Sequence, residues 1–269
     1  MASESIKFRL FLLFLSIMPS VSKKPVLKSK SLKIRESAIN LLRIPTGIPG
    51  FDELVEGGFP ERQVIMLTGS CGTGKSTFAM NFLVNGALNG ETGVYVSLEE
   101  NIEDNIKEMA LFGWPIDSLM REKKLVIIKP ELYDFEKLVE SIEDIVSKLK
   151  AKRLVVDSSS LIGLYFKDAF KVRKAMVQLN YVLKKVGCTS VVISEIKENE
   201  QALSTYGVEE FVADGVIVLY CQKKENLYTR ALAIRKMRST NHSMRVHPMQ
   251  IKRPGGITVF ASEEVFNEF

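Results

Sequence analysis

The chain has 269 residues, 46% hydrophobic and 26% charged, the balance of an ordinary globular protein with room for one large α/β domain or two small ones. Its formal charge of +5 is uneven: residues 23–43 carry seven cations against one acid, and residues 222–253 carry nine against one. Such runs either meet nucleic acid, a membrane surface or a bound polyphosphate, or are simply solvated faces. The three cysteines, Cys71, Cys188 and Cys221, are far apart and odd in number, which excludes a cysteine metal centre by spacing and points to a reducing interior.

In chain order, FRLFLLFLSIMPSVS (8–22) comes first, an apolar stretch after Lys7 and Arg9 that ends on small residues and resembles a signal-peptide core. The roughly 13 residues between Arg9 and Lys23 fall short of the ~20 that a helix needs to span a bilayer. Residues 23–43 form a basic linker without a period, and the pattern changes at Ile44. The expected organisation is therefore a leader, 1–43, and one domain, 44–269, without an internal repeat.

Short continuous apolar runs then recur: QVIMLTG (63–69), GVYVS (93–97), LVIIK (125–129), LVVDS (154–158), SVVISE (190–195) and GVIVLY (215–220). Continuous rather than alternating runs predict strands buried on both faces of a parallel sheet. Helical periods fill the gaps at 134–150, behind the N-cap candidate Asp134, and at 168–186, behind Asp168. Strand and helix alternating predicts a doubly wound α/β sheet. The tail reads differently, as short antiparallel strands in LYTRALAIRKM, MRVHPMQIK and RPGGITVF, with a turn at Pro254, Gly255 and Gly256.

GSCGTGKST, Gly69, Ser70, Cys71, Gly72, Thr73, Gly74, Lys75, Ser76 and Thr77, fits the phosphate-loop pattern G-x-x-x-x-G-K-[ST]. Its glycines let successive N–H groups turn inward onto phosphate oxygens. Lys75 reaches the outer phosphates, Ser76 offers a hydroxyl to Mg²⁺, and the following helix adds its positive end. The motif follows an apolar strand and opens an apolar helix, the context that this chemistry requires. A phosphate-bound Mg²⁺ also needs an acid at a nearby strand end, and Asp157 closes the run RLVVD. The spacing leaves room for another strand between those of Lys75 and Asp157. YVSLEEN (95–101) offers a catalytic acid at a strand tip beside the phosphate loop: Glu99 or Glu100 would orient and deprotonate the attacking water, or else serve the next helix's first turn.

Taken together, TGIPGFDELVEGGFPERQVIMLTGSCGTGKST (46–77), YVSLEEN, RLVVDSSS, YGVEEFVADGVIVL (206–219) and KMRSTNHS (236–243) resemble a KaiC domain. This is the RecA-superfamily ATPase module of the clock protein KaiC and of single-domain archaeal KaiC-like proteins. The resemblance runs over about residues 44–260. It implies a RecA-like P-loop core, mostly parallel with C-terminal antiparallel strands, that holds ATP and Mg²⁺, with Ser76 and Asp157 at the metal. It also implies that Glu99 and Glu100 form the catalytic pair. Lys236, Met237, Arg238, Thr240 and His242 match a K-x-R-x-T-x-H segment that, in KaiC, reaches the nucleotide of the neighbouring subunit in a hexameric ring. The cluster in AIRKMRSTNH (233–242) would then act in trans, as an arginine finger does; the alternative is a strand edge protected by charge.

The departures are also informative. Glu210 and Phe211 occupy the positions where KaiC's second domain carries its phosphorylated hydroxyls, which argues against autophosphorylation, and Leu111 replaces a small polar residue near the base. Three functions compete: an ATPase of a homo-oligomeric ring with a regulatory or signalling output and a further protein partner; a RecA/RadA-like filament former on nucleic acid; and a nucleotide-gated module without turnover. The loop KENEQALSTYGVEE (197–210) has one lysine and four glutamates, which repel a phosphate backbone and disfavour the second. A cytoplasmic ATPase has no membrane role, so residues 1–22 are expected to be an upstream extension or over-long reading frame, with Met18 a candidate start.

Overall fold

The computed structural model describes residues 41–130, 134–166, 168–198, 200, 202–224 and 226–263. The apolar stretch 8–22 and nearly all of the basic linker therefore lie outside the described residues. The strand-forming runs become β3 (Val64–Gly69), β4 (Gly93–Ser97), β5 (Leu125–Ile128), β6 (Arg153–Asp157), β7 (Thr189–Glu195) and β8 (Gly215–Lys224). Two short strands precede them, β1 (Arg43–Ile44) and β2 (Phe59–Pro60), paired with each other. The tail adds β9 (Leu227–Met237), β10 (Val246–Lys252) and β11 (Gly256–Val259).

Nine strands make one sheet in the order β11-β10-β9-β8-β3-β7-β6-β4-β5. From β8 to β5 all neighbours are parallel; β8, β9, β10 and β11 are antiparallel. Successive side chains of a strand leave on opposite faces, and the core divides accordingly. Ile65, Leu67, Tyr95 and Val155 point into one cluster with Phe78 and Phe82 of α1 (Lys75–Leu88). Val94, Val96, Leu154 and Val156 point the other way, onto α4 (Phe135–Leu149) and α5 (Ala169–Lys185). Both faces being covered is why the central runs are continuously apolar. The edge strand β5 instead alternates between buried and half-buried residues.

The helices form where the 3.6-residue period predicts them. Asp134 accepts from the Glu136 amide at 2.9 Å and Asp168 from the Phe170 amide at 2.9 Å, so both predicted caps satisfy a first-turn donor. On α4, Phe135, Leu138, Val139, Ile142 and Val146 are buried, each adding roughly 2 kcal/mol of gross apolar stabilisation. Helix α1 is buried nearly all round because α2 (Ile102–Ala110), α3 (Ile116–Arg121) and β11 wrap the side turned away from the sheet. No helix among the described residues is long and apolar enough to cross a membrane.

Candidate nucleotide-binding site

The parallel strands end together. Gly69, Ser97, Asp157 and Glu195 stand at the carboxyl edge of the sheet, the place where open α/β sheets hold ligands. Between Gly69 and Lys75 the chain turns back as the phosphate loop. Gly72 and Gly74 have φ of +73° and +99°, a left-handed backbone that residues with a Cβ rarely adopt. A Cβ on Gly74 would also stand 2.6 Å from Ile251 Cδ1, so β10 closes the loop from one side. Thr73 Oγ1 donates to the Ser70 carbonyl at 2.9 Å and holds the turn. The free amides of the first turn of α1 then face the open end.

Lys75 Nζ donates to the carbonyls of Gly69 and Ser70, each at 3.0 Å. Ser76 Oγ donates to Asp157 Oδ2 at 2.8 Å, which brings together the two residues expected to bind Mg²⁺. A hydroxyl and one carboxylate, side by side at the foot of a phosphate loop, fit a Mg²⁺ that takes its remaining ligands from phosphate and water. Among the described residues no cluster of three or more His, Cys, Asp or Glu offers an all-protein metal cage. Burial raises the Asp157 carboxyl above its ordinary value, opposed by hydrogen bonds from Tyr95 and Ser76 and by the charge of Lys75. A divalent cation would reverse that balance.

The expected arrangement of the acids needs correction. The strand beside the phosphate loop, between β3 and β6, is β7, and its tip is Glu195; β4, which leads to Glu99 and Glu100, lies beyond β6. Glu99 nevertheless returns to the site. Its Oε1 accepts from Ser158 Oγ at 2.9 Å, and it lines a cleft of about 550 Å³ with Ser70, Cys71 and Glu195. Glu100 Oε2 accepts from Asn105 at 3.1 Å, and its carboxyl is pushed up by desolvation, then by the charge of Asp157.

The segment of Lys236, Met237, Arg238, Thr240 and His242 is not brought to this cleft within the chain. Met237 pairs with Gly215, and Gly215 with Ile65, at the foot of β3; the phosphate loop leaves the top, where Gly69 pairs with Leu219. Four residues of strand separate the two levels, about 13 Å at ~3.3 Å per residue. Lys236 Nζ donates to the carbonyls of Glu210 (3.1 Å) and Ala213 (2.6 Å) at the short helix Glu209–Val212. Arg238 meets the buried Asp214 at 3.3 Å. Met237 is buried, Thr240 accepts from Arg43 at 2.6 Å, and His242 Nδ1 lies 2.9 Å from the Ser243 carbonyl.

Sequence reasoning missed several neighbours of the site. Tyr95 donates to Asp157 Oδ2 at 2.5 Å, Glu195 Oε1 lies 4.0 Å from Lys75 Nζ, and Arg230 Nε donates to the Gly72 carbonyl at 3.1 Å. The signal for Glu195 was present: SVVISE is an apolar run ending in an acid, the pattern that identified Asp157. For Tyr95 and Arg230 no local signal exists, because only strand register brings them near.

With this geometry in place, the comparisons with known proteins are direct. The family model "ATPase: KaiC" matches residues 44–264. A "UPF0273 protein" of Thermotoga maritima is 37% identical over 238 residues, covering 82% of this chain and 97% of its own. The circadian clock oscillator protein KaiC of Thermostichus vulcanus is 33% identical over 242 residues, 86% of this chain and 46% of its own. A crystal structure of a KaiC-like protein from the hyperthermophilic archaeon Pyrococcus horikoshii superposes with a TM-score of 0.75 at 43% identity, covering 82% of this chain and 99% of that one. A RecA-like sheet with the phosphate loop at its carboxyl edge, together with these matches, makes the chain a member of the KaiC ATPase family.

Proposed function

We propose that the protein is a Mg²⁺-dependent ATPase that hydrolyses ATP at the interfaces of a homo-oligomeric ring in the cytoplasm, with a regulatory output. The observation that carries this reading is the separation of the two half-sites. The phosphate loop and the Lys236–Arg238 segment occupy opposite ends of the same sheet, so the cations serve a nucleotide only if it belongs to another subunit.

In this reading the amides of residues 72–77 and Lys75 hold the triphosphate, while Ser76 and Asp157 hold the metal. Bound Mg²⁺ would neutralise charge on the outer phosphates as transfer proceeds. Tyr95 keeps the Asp157 carboxylate aimed at Ser76. Glu100, a desolvated carboxyl steadied by Asn105, takes the proton of the attacking water, and Glu99, steadied by Ser158, orients it. Lys236 and Arg238 from a neighbouring copy stabilise the developing charge, which makes turnover depend on assembly.

The test is light scattering on a size-exclusion column, with phosphate release measured on the same samples, with and without Mg²⁺ and a non-hydrolysable ATP analogue. Wild type should form a nucleotide-dependent oligomer that turns over ATP; Lys236→Ala/Arg238→Ala should bind nucleotide yet lose assembly or turnover. A monomer under every condition whose ATPase survives the double substitution would sink the trans reading.

A further inference from the structure

Two of the three cysteines converge on the cleft above the phosphate loop. Cys71 is exposed within the loop, Cys221 is half-buried on β8, and both line the cleft with Ser70 and Tyr228. Strand register decides which side Cys221 takes. Ile217 and Leu219 of β8 point into the α1-side core, and the alternation of a strand puts Cys221 on that same face, one step past Leu219, the partner of Gly69. On β9 the residue opposite Cys221 is Arg230, whose Nε already reaches the carbonyl of Gly72, the residue after Cys71. Cys188 is a bystander: its thiol is buried, donates to the Ala151 carbonyl at 3.0 Å and is pushed up to about 12 by burial.

We propose that Cys71 and Cys221 form a dithiol that a hydroperoxide oxidises to a disulfide, and that this cross-link shuts the phosphate loop. The Cys71 sulfur attacks the peroxide, the O–O bond breaks, and a sulfenic acid and one molecule of water or alcohol result. The Cys221 sulfur then attacks the sulfenyl sulfur; the S–S bond forms and the hydroxyl leaves as water with the thiol proton. Two thiols are oxidised and one peroxide is reduced. A disulfide holds its Cα atoms about 4.4–6.8 Å apart, so residue 71 is drawn down onto β8. The loop amides then no longer wrap a phosphate. The effect on nucleotide rests on the ATP-binding reading above; the cross-link itself does not.

The experiment uses the full chain, reduced or treated with hydrogen peroxide, and splits each sample between peptide mapping and titration with a fluorescent ATP analogue and Mg²⁺. Trypsin separates the three thiols, onto peptides 63–75, 186–197 and 198–223. Oxidation should link 63–75 to 198–223 with the loss of two hydrogens and weaken nucleotide binding roughly tenfold or more. Dithiothreitol should restore it, and prior loading with Mg-ATP should slow it. Cys221→Ser should bind as the reduced wild type does. With peroxide it should give no linked peptide and no loss of affinity that dithiothreitol restores through a disulfide, its Cys71 passing instead to the sulfinic acid; Cys188→Ser should respond as wild type does. Peptides that stay unlinked while Cys71 over-oxidises would overturn the proposal, as would linked peptides with unchanged affinity. Reduced protein that binds no ATP would instead sink the nucleotide reading, and the peptide map would still decide the dithiol.

Discussion

Lys75 Nζ stands 4.0 Å from Glu195 Oε1, at the tip of the strand that separates the phosphate loop from Asp157. A carboxylate there competes with phosphate for the lysine and repels the outer phosphates. Its side chain is 51% exposed, so solvent screens the effect and it stays below about 1 kcal/mol. Glu195→Gln is expected to tighten Mg-ATP binding roughly threefold, measured by calorimetry. Weaker binding would mean that Glu195 positions Lys75 rather than opposing its ligand.

Glu99→Gln/Glu100→Gln should keep Mg-ATP affinity within about twofold and lower phosphate release by roughly a hundredfold or more. Of the single variants, Glu100→Gln should account for most of the loss. Its carboxyl lies in the field of Asp157, where desolvation makes it more basic, whereas Glu99 is engaged by Ser158. Equal turnover in the double variant and wild type would remove both from catalysis.

Arg153 is a buried cation that ties three segments together. It meets Glu91 at 2.5 Å, donates to the carbonyls of Pro45 (2.7 Å) and Phe82 (2.8 Å), and lies over the Phe82 ring. Arg153→Met strands these acceptors and should destabilise the fold by about 3 kcal/mol, read as a lower urea midpoint at constant slope. Gly86→Ala should also destabilise it, since a Cβ there would stand 2.2 Å from Arg153 Nε.

The Lys236 ammonium is lowered from the ordinary lysine value by desolvation and then by Arg238. The sign follows from that direction. Between the depressed and the ordinary value the unfolded chain holds more protons, so this group's contribution to stability rises with pH across the window. Activity that requires the charge falls across the same window. Phosphate release should therefore decline on the alkaline side before an ordinary lysine titrates, and Lys236→Arg should flatten that limb. An unchanged alkaline limb in Lys236→Arg would exclude Lys236 as its source.

Much of the fold was legible in the sequence because its signals are local. The strand-forming apolar runs, the caps Asp134 and Asp168, and the loop 69–77 each depend on residues within one turn or strand of one another. The order of the strands did not follow from them. β7 enters between β3 and β6 only after a long excursion, so the neighbour of the phosphate loop became Glu195 and not the glutamates after β4.

The sequence by itself determined the chemistry of the phosphate loop, since backbone conformation there depends on glycines at fixed spacing and Lys75 and Ser76 follow them directly. Tertiary structure alone decided what surrounds that loop. Tyr95 reaches Asp157, and Arg230 reaches Gly72, across 62 and 158 residues of sequence. It also placed Lys236 and Arg238 at the far end of the sheet, because antiparallel β9 runs away from the edge at which the parallel strands finish. Strand direction is a property of pairing, and pairing is set by which faces bury one another.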